Sequence, residues 1–255
     1  MQLIDTHTHL YLPEFDPDRD EMINRAAVNG IVKLLMPNIN NHSIESMLSA
    51  AVRYKGICLP MLGLHPTSVK DDYRHQLDEL EKIFQEHEFI AVGEIGIDLH
   101  WDKTHKAEQI DAMRRQVVFA IRSGLPVAVH SRESLPEVFS VLDEFAGPGL
   151  KGVLHAFSGT LPDAEKAIRM GFMLGIGGPL TFRNSNLDKV VREIGIEHVI
   201  LETDSPYLAP APFRGKRNES SYLPIINKKL AEIFGLSEEE SSVITYENSC
   251  HLFKI

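Results

Sequence analysis

The residues best suited to chemistry begin at the N-terminus, in Ile4-Asp5-Thr6-His7-Thr8-His9. In a helix, two His one residue apart point in different directions. On a strand they point to the same side. A strand ending in His-x-His therefore aims two imidazoles at one point, and imidazole is the commonest side-chain ligand for zinc-like ions. The pattern recurs along the chain. His65 stands in Gly63-Leu64-His65-Pro66, Glu94 in Gly93-Glu94-Ile95-Gly96 and His130 in His130-Ser131-Arg132. His155 follows Gly152-Val153-Leu154, and Asp204 lies in Glu202-Thr203-Asp204-Ser205-Pro206. Five histidines (His7, His9, His65, His130, His155) and two acids (Glu94, Asp204) thus fall at strand ends, and four histidines with two acids suffice for two adjacent divalent ions with one carboxylate bridging them. A closed structural zinc site needs four ligands and is often Cys-rich. Here the candidates exceed four and none is Cys, so an open catalytic site fits better.

Such residues must be brought to one place by the elements that carry them. Short apolar runs alternate with helical patterns. The runs are Leu3 to Thr6, Ile31 to Met36, Ile57 to Leu64, Phe89 to Val92, Pro126 to Val129, Gly152 to Leu154, Phe172 to Ile176 and Val199 to Leu201. Helical spacing is read over Asp16 to Asn29, Ser43 to Tyr54, Leu77 to Glu88, Lys106 to Ser123, Pro136 to Phe145, Asp163 to Met170 and Leu187 to Ile194. It returns in Leu223 to Phe234 and Glu238 to Phe253, the last opened by a capping box over Ser237-Glu238-Glu239-Glu240. Continuous apolar runs suit a parallel sheet buried on both faces. Eight strand–helix units in 255 residues predict one α/β domain over 1–255, a closed (β/α)8 TIM barrel with its active site at the C-terminal ends of the strands. A doubly wound sheet would place a Gly-rich phosphate turn after the first strand, where this chain has His-x-His. The other seven histidines (42, 75, 87, 100, 105, 198 and 251) fall in helical or loop stretches or at a strand start, and are read as solvated or locally bonded.

Composition narrows the class. Apolar residues at 43% and charged residues at 24% describe an ordinary globular protein. A formal net charge of -10 argues against a broad nucleic-acid surface, which is basic. It does not exclude an enzyme that draws a phosphate to a bound cation. No apolar run reaches the roughly 18 residues of a membrane span, and no basic-then-apolar leader is visible. Cys58 and Cys250 are unpaired in pattern and read as reduced thiols. The expectation is a cytoplasmic monomer with no membrane partner.

The blocks Asp5-Thr6-His7-Thr8-His9, Gly63-Leu64-His65-Pro66, Gly93-Glu94-Ile95-Gly96-Ile97-Asp98, His130-Ser131-Arg132, His155-Ala156-Phe157-Ser158-Gly159 and Leu201-Glu202-Thr203-Asp204-Ser205-Pro206-Tyr207-Leu208 together resemble the signature of the TatD family of metal-dependent deoxyribonucleases, among the amidohydrolase-like barrels. The resemblance covers essentially the whole chain. Pro212 to Glu219 also matches, but the family then usually continues with Pro, where this chain has Ser220-Ser221; the rigidity of that loop is left open. The resemblance implies that His7, His9, Glu94 and Asp204 hold one metal and Glu94, His130 and His155 the other. Glu94 then bridges, and Asp204 also takes the proton of the attacking water, so both acids are catalytic. A His and carboxylate site suits Zn, Mn, Fe or Ni, and tolerates Mg.

On the substrate side, His65 and Arg132 share the rim and are not needed as ligands. Arg offers a planar fork suited to phosphate. Glu202, on the strand side of Asp204, is a further candidate, and Arg214 with Lys216 and Arg217 forms a local basic cluster able to steer DNA. The expected function is hydrolysis of DNA phosphodiester bonds by two-metal activation of water, as a 3'-5' exonuclease on single-stranded ends. The alternative keeps the site and changes the bond: an ester or amide hydrolase such as a lactonase or an aminoacyl-tRNA deacylase. A non-enzymatic scaffold is the third reading, and the intact ligand set argues against it.

Overall fold

A computed structural model describes residues 1–147 and 149–255. Eight parallel strands alternate with helices: β1 (Leu3–Asp5), α1 (Arg19–Val28), β2 (Ile31–Pro37), α2 (Ile44–Arg53), β3 (Cys58–Met61), α3 (Tyr73–Glu86), β4 (Val92–Asp98), α4 (Lys106–Ser123), β5 (Val127–Arg132), α5 (Leu135–Asp143), β6 (Gly152–Leu154), α6 (Leu161–Arg169), β7 (Phe172–Ile176), α7 (Leu187–Ile194), β8 (Val199–Leu201), α8 (Leu223–Phe234) and α9 (Glu238–Phe253). The ladders run in chain order, β1-β2-β3 and β4-β5-β6-β7-β8. Single parallel bridges, Leu62 to Val92 and Thr8 to Ser205, link the two sheets at both seams. This is the (β/α)8 barrel architecture, with its two seams held by bridges rather than full ladders. No helix among the described residues is long and apolar enough to cross a membrane.

Two apolar clusters divide the core. The larger fills the space between strands and helices, with Met22 and Ile23 of α1, Met47 of α2, Leu77 and Leu80 of α3, Val117 of α4 and Leu230 of α8 packed on the outward faces of the strands. The smaller takes Ile4, Leu35, Met61, Ala91, Ala128, Val153 and Ile200, with Met173 against them. That is one residue for each strand, the layer that fills the barrel axis. Leu252 and Phe253, at the end of α9, pack on the same layer. Ser237 caps α9 as its sequence predicts, accepting from the Glu240 amide at 3.2 Å while Glu240 accepts from the Ser237 amide at 2.8 Å.

Several strand limits differ from the sequence reading, β5 among them, which runs on to Arg132 rather than stopping at Val129; the differences in β4 and β3 bear on the site. The sequence reading ends the fourth run at Val92 and puts Glu94 at the strand's end; instead β4 begins at Val92, runs to Asp98 and holds Gly93-Glu94-Ile95-Gly96 in its interior. The glycines mark close backbone approach, not a turn. A methyl on Gly93 would lie 2.7 Å from the Ala128 Cβ, and one on Gly96 (φ +139°) would lie 2.0 Å from the His130 carbonyl oxygen. The second difference is β3, which stops at Met61 rather than Leu64. Gly63 there rests against the Gly93 backbone, where a Cβ would come within 2.8 Å.

The loop from Pro212 to Ser221, which runs on from Glu219 into Ser220-Ser221, is tied down by side chains. Asn218 is buried and donates to the Thr203 carbonyl at 2.8 Å and the Tyr207 carbonyl at 2.7 Å. Arg217 forks onto both oxygens of Asp18 at 2.6 and 2.8 Å. Arg25 pairs with both oxygens of Glu219 at 2.9 and 2.7 Å and with Asp18 at 2.8 Å. Hydrogen bonds from the two guanidinium groups hold the Asp18 carboxyl far below the usual carboxylate range. A depressed folded-state value means that the pair stabilises above the usual Asp value and that this contribution fades as pH falls below it. Asp18→Asn should therefore lower stability by about 1 kcal/mol at pH 7, a modest figure because the network is partly solvated. In urea unfolding, the gap between variant and parent should close as the pH drops below about 4. A gap that persists unchanged into acid would show that the network does not hold this loop through the Asp18 charge.

Candidate metal centre

The barrel axis sets which side chains meet. On β5, Ala128 lies in the axial layer, so alternation puts His130 on the same side. β6 does the same with Val153 and His155, and β8 with Ile200 and Glu202. β4 breaks this rule: Ala91 and Glu94 are three residues apart and would face opposite sides of a regular strand. A register shift between Val92 and Ile95 re-aims Glu94 inward, the usual effect of a bulge beside an active site. His7 and His9 lie beyond β1, on an extended segment that Thr8 anchors by its amide to the Leu35 carbonyl at 3.0 Å and by its bridge to Ser205.

All five imidazoles converge on Glu94, which is 1% exposed. Its Oε2 lies 3.2 Å from His7 Nε2 and 3.5 Å from His9 Nε2. Its Oε1 lies 3.0 Å from His130 Nδ1, 3.2 Å from His155 Nε2 and 3.3 Å from His65 Nε2. One carboxylate oxygen thus faces each half of the cluster. Asp204 Oδ1 joins the first half, 3.8 Å from His7 and 3.6 Å from His9. Asp204 holds φ at +56° and Ala156, next to His155, at +45°. Strained backbone of this kind concentrates at functional sites.

The hydrogen bonds around the cluster assign the ring tautomers. The Tyr11 hydroxyl donates to the Pro37 carbonyl at 2.6 Å, so His9 Nδ1, 3.0 Å away, donates to Tyr11 and leaves Nε2 as a lone pair. His155 Nδ1 donates to Glu202 at 3.0 Å, freeing Nε2. His130 Nε2 donates to Asp98 at 3.0 Å, freeing Nδ1. Lone pairs of three rings therefore face the centre. Glu94 Oε1 has no hydrogen-bond partner there despite its close neighbours. Acceptors facing acceptors in a buried site are the donor set of a cation, and the residues fit two divalent ions. His65 is different. Its Nδ1 accepts from the Thr67 amide at 3.2 Å, so its neutral ring carries the proton on Nε2. That atom is a donor toward the site, although His65, Glu94 and His130 are close enough together to form a ligand group.

Electrostatics follows the geometry. Burial opposes charge on Glu94, yet the surrounding imidazoles hold its carboxyl well below the usual range. Burial likewise opposes the ionised form of Asp98, but the His130 ring and the amides of His100 and Trp101 bring it down to about 2. On His155, burial disfavours the cation while Glu202 and Glu94 raise the ring well above the usual imidazole value.

The expected substrate groups fall in three places. Arg132 is exposed at the end of β5 and lines the same cavity of about 730 Å³ as His65, Glu94 and Asp204. Glu202 is 1% exposed and bonds to His155 and the Ala156 amide at 2.6 Å, which suits orienting a ligand rather than meeting substrate. Arg214 stacks over Phe182 at 4.6 Å and Lys216 lies over Phe213 at 5.9 Å, while Arg217 is committed to Asp18. None of these three is among the residues lining the cavity.

Sequence reasoning passed over Asp98, Gly175, Tyr11 and Asp5. Asp98 lies four residues past Glu94 on β4, and strand periodicity would have marked it had the strand been drawn long enough. Gly175 of β7 leaves room for Glu202, whose Oε2 would be 2.2 Å from a methyl there. Asp5 accepts from the Thr203 amide at 2.9 Å and the Thr203 hydroxyl at 2.6 Å, fixing the residue before Asp204; burial raises its carboxyl to about 7.

This geometry has counterparts among known proteins. The TatD-related DNase family matches residues 4–254. The chain is 34% identical to the Bacillus subtilis protein YabD, an uncharacterised metal-dependent hydrolase, over 99% of both chains. It is 32% identical to the human deoxyribonuclease TATDN3 over 98% of this chain and 94% of that one. The crystal structure of the Escherichia coli TatD homologue YjjV superposes with a TM-score of 0.93 at 29% identity, covering 99% of this chain and 98% of that one. The fold and site define a metallohydrolase barrel. The chain belongs to the TatD-related DNase family and is a metal-dependent hydrolase.

If Asp98 and Glu202 orient His130 and His155, their neutral analogues should weaken the ion that these rings hold. Asp98→Asn and Glu202→Gln should each lower divalent-ion affinity by about 10- to 100-fold, measured by competition with a chromophoric chelator. Gly175→Ala should reproduce the Glu202→Gln loss. Unchanged affinity in all three would leave both acids without that role.

Proposed function

We propose that this hydrolase is a deoxyribonuclease that removes nucleotides from the 3' ends of single-stranded DNA with two divalent ions. In this reading the chain works as one domain over 1–255, as a monomer, in the cytoplasm, where Cys58 and Cys250 stay as free thiols. The observation that carries it is the division of Glu94, one oxygen toward His7 and His9, the other toward His130 and His155. Bound at those two halves, divalent ions would lower the pKa of a water toward neutrality and neutralise charge on a phosphoryl group.

The protein's own groups do the rest. His7, His9, Glu94 and Asp204 would hold one ion, and Glu94, His130 and His155 would hold the other. Asp204 takes the proton of the attacking water as general base. His65 Nε2–H donates to a phosphate oxygen, and Arg132 receives the phosphate in its fork. The net charge of -10 leaves substrate capture to these local groups, which suits a loose strand end better than a long duplex. The family match and the human relative's name as a deoxyribonuclease support DNA as the substrate.

The test is a metal-reconstituted screen on 3'- and 5'-labelled single-stranded and duplex DNA, with RNA, lactone and aminoacyl-tRNA substrates beside them. Laddering from the 3' end of single strands is expected; turnover of the esters alone would replace the nuclease reading. Glu94→Ala should lose both ions by elemental analysis, and a full complement would contradict the bridge. Asp204→Asn should keep much of its metal and lose about 10²- to 10⁴-fold in rate. Recovery of that rate at excess metal would reduce Asp204 to a ligand.

A further inference from the structure

Large apolar side chains are mostly hidden here, and the exceptions are not scattered evenly. Among the described residues, eight are exposed, and three of these, Trp101, Tyr207 and Leu208, line the mouth of the site cavity. Trp101 is the chain's only tryptophan and is 71% exposed. An indole left this open next to a reaction cavity needs a reason, because burying it is the favourable default.

Trp101 is also held in place. Asp98 Oδ1 accepts from the amides of His100 at 3.0 Å and Trp101 at 3.4 Å, while its Oδ2 accepts from His130 at 3.0 Å. One carboxylate therefore fixes both a ring of the metal centre and the backbone that carries the indole. The Arg132 guanidinium lies 5.2 Å from the Trp101 ring centroid, and His100 meets its edge at 5.0 Å. His100 is itself fixed by Glu133 at 2.7 Å. A planar cation on one face of an indole leaves the other face for a flat π-system. Tyr207, 50% exposed, follows β8, four strands away from β4 and so across an eight-stranded barrel. The two aromatic groups therefore border the cavity from opposite sides.

We propose that Trp101 is a stacking platform for the base of the nucleotide adjoining the cleaved phosphodiester, with Arg132 fastening the indole from its other face and reaching the phosphate. Trp101 is a positioning residue. It recognises the flat face that every base shares, so it selects a nucleotide over a simple phosphate ester without selecting sequence. This inference rests on the nuclease reading of the same site.

The single tryptophan makes the test direct, because intrinsic indole fluorescence comes from this residue alone. The metal-loaded protein is titrated with deoxyadenosine monophosphate, 2-deoxyribose 5-phosphate and inorganic phosphate. Saturable quenching is expected with the nucleotide and not with the two baseless probes. Equal quenching by deoxyribose phosphate, or none by the nucleotide, overturns the proposal. On an oligonucleotide, Trp101→Ala should raise KM by about 5- to 100-fold with kcat little changed, and Trp101→Phe should restore most of the loss. On an oligonucleotide with an abasic terminal residue, the parent and Trp101→Ala should perform alike. An unchanged KM for Trp101→Ala on intact DNA sinks the assignment. Failure of the parent to cleave any DNA would instead remove the nuclease reading, while the three-probe fluorescence comparison would still decide whether Trp101 meets a base.

Discussion

A carboxylate closed off from water and ringed by five imidazoles is the constraint on which this structure turns. Glu94 would be costly to bury alone. It is tolerable because imidazoles suited to sharing a cation with it surround it, and those rings stay in place because a second ring of acceptors holds them. Asp98 accepts from Nε2 of His130, Glu202 from Nδ1 of His155, and the Tyr11 hydroxyl from Nδ1 of His9. Each of these bonds decides which ring nitrogen points inward. The centre is thus defined as much by the orientation of its ligands as by their identity.

The barrel supplies the rigidity that such orientation needs. Five strands or their continuations deliver the candidate ligands, and the axial layer beneath them is packed with one apolar residue per strand. Three glycines serve the same end. Gly93 and Gly96 let β4 lie tight against β5, and Gly175 gives Glu202 its space. Small residues at these points transmit the position of one strand to its neighbour, so a change of one methyl group would be felt at Glu94 and the imidazoles around it.

Much of this was legible in the chain. The eight apolar runs, the helical patterns between them and the capping box at Ser237 follow from local periodicity and correspond to elements of the structure, although the fourth run meets its strand only at Val92. His7, His9, His130, His155, Glu94 and Asp204 were recognisable because strand C-terminal ends in a barrel share one face. What misled was glycine. Gly93 and Gly96 look like punctuation in a sequence, and they hid the length of β4 and with it Asp98. Arg217 looked like part of a free basic cluster, yet its partner Asp18 is nearly two hundred positions away.

Residue type and spacing alone determined the barrel class, the end of the barrel at which the imidazoles and acids gather and the residue types in that cluster, because these depend on near neighbours along one strand. Which oxygen of Glu94 faces which histidine, the tautomer that makes His65 a donor, the withdrawal of Glu202 from the cavity and the exposure of Trp101 at its mouth were decided only by the tertiary structure. Each depends on a bond or an approach between strands distant in sequence. A register shift in β4 and close contacts at Gly96 and Gly175 settle them, and no local pattern encodes either.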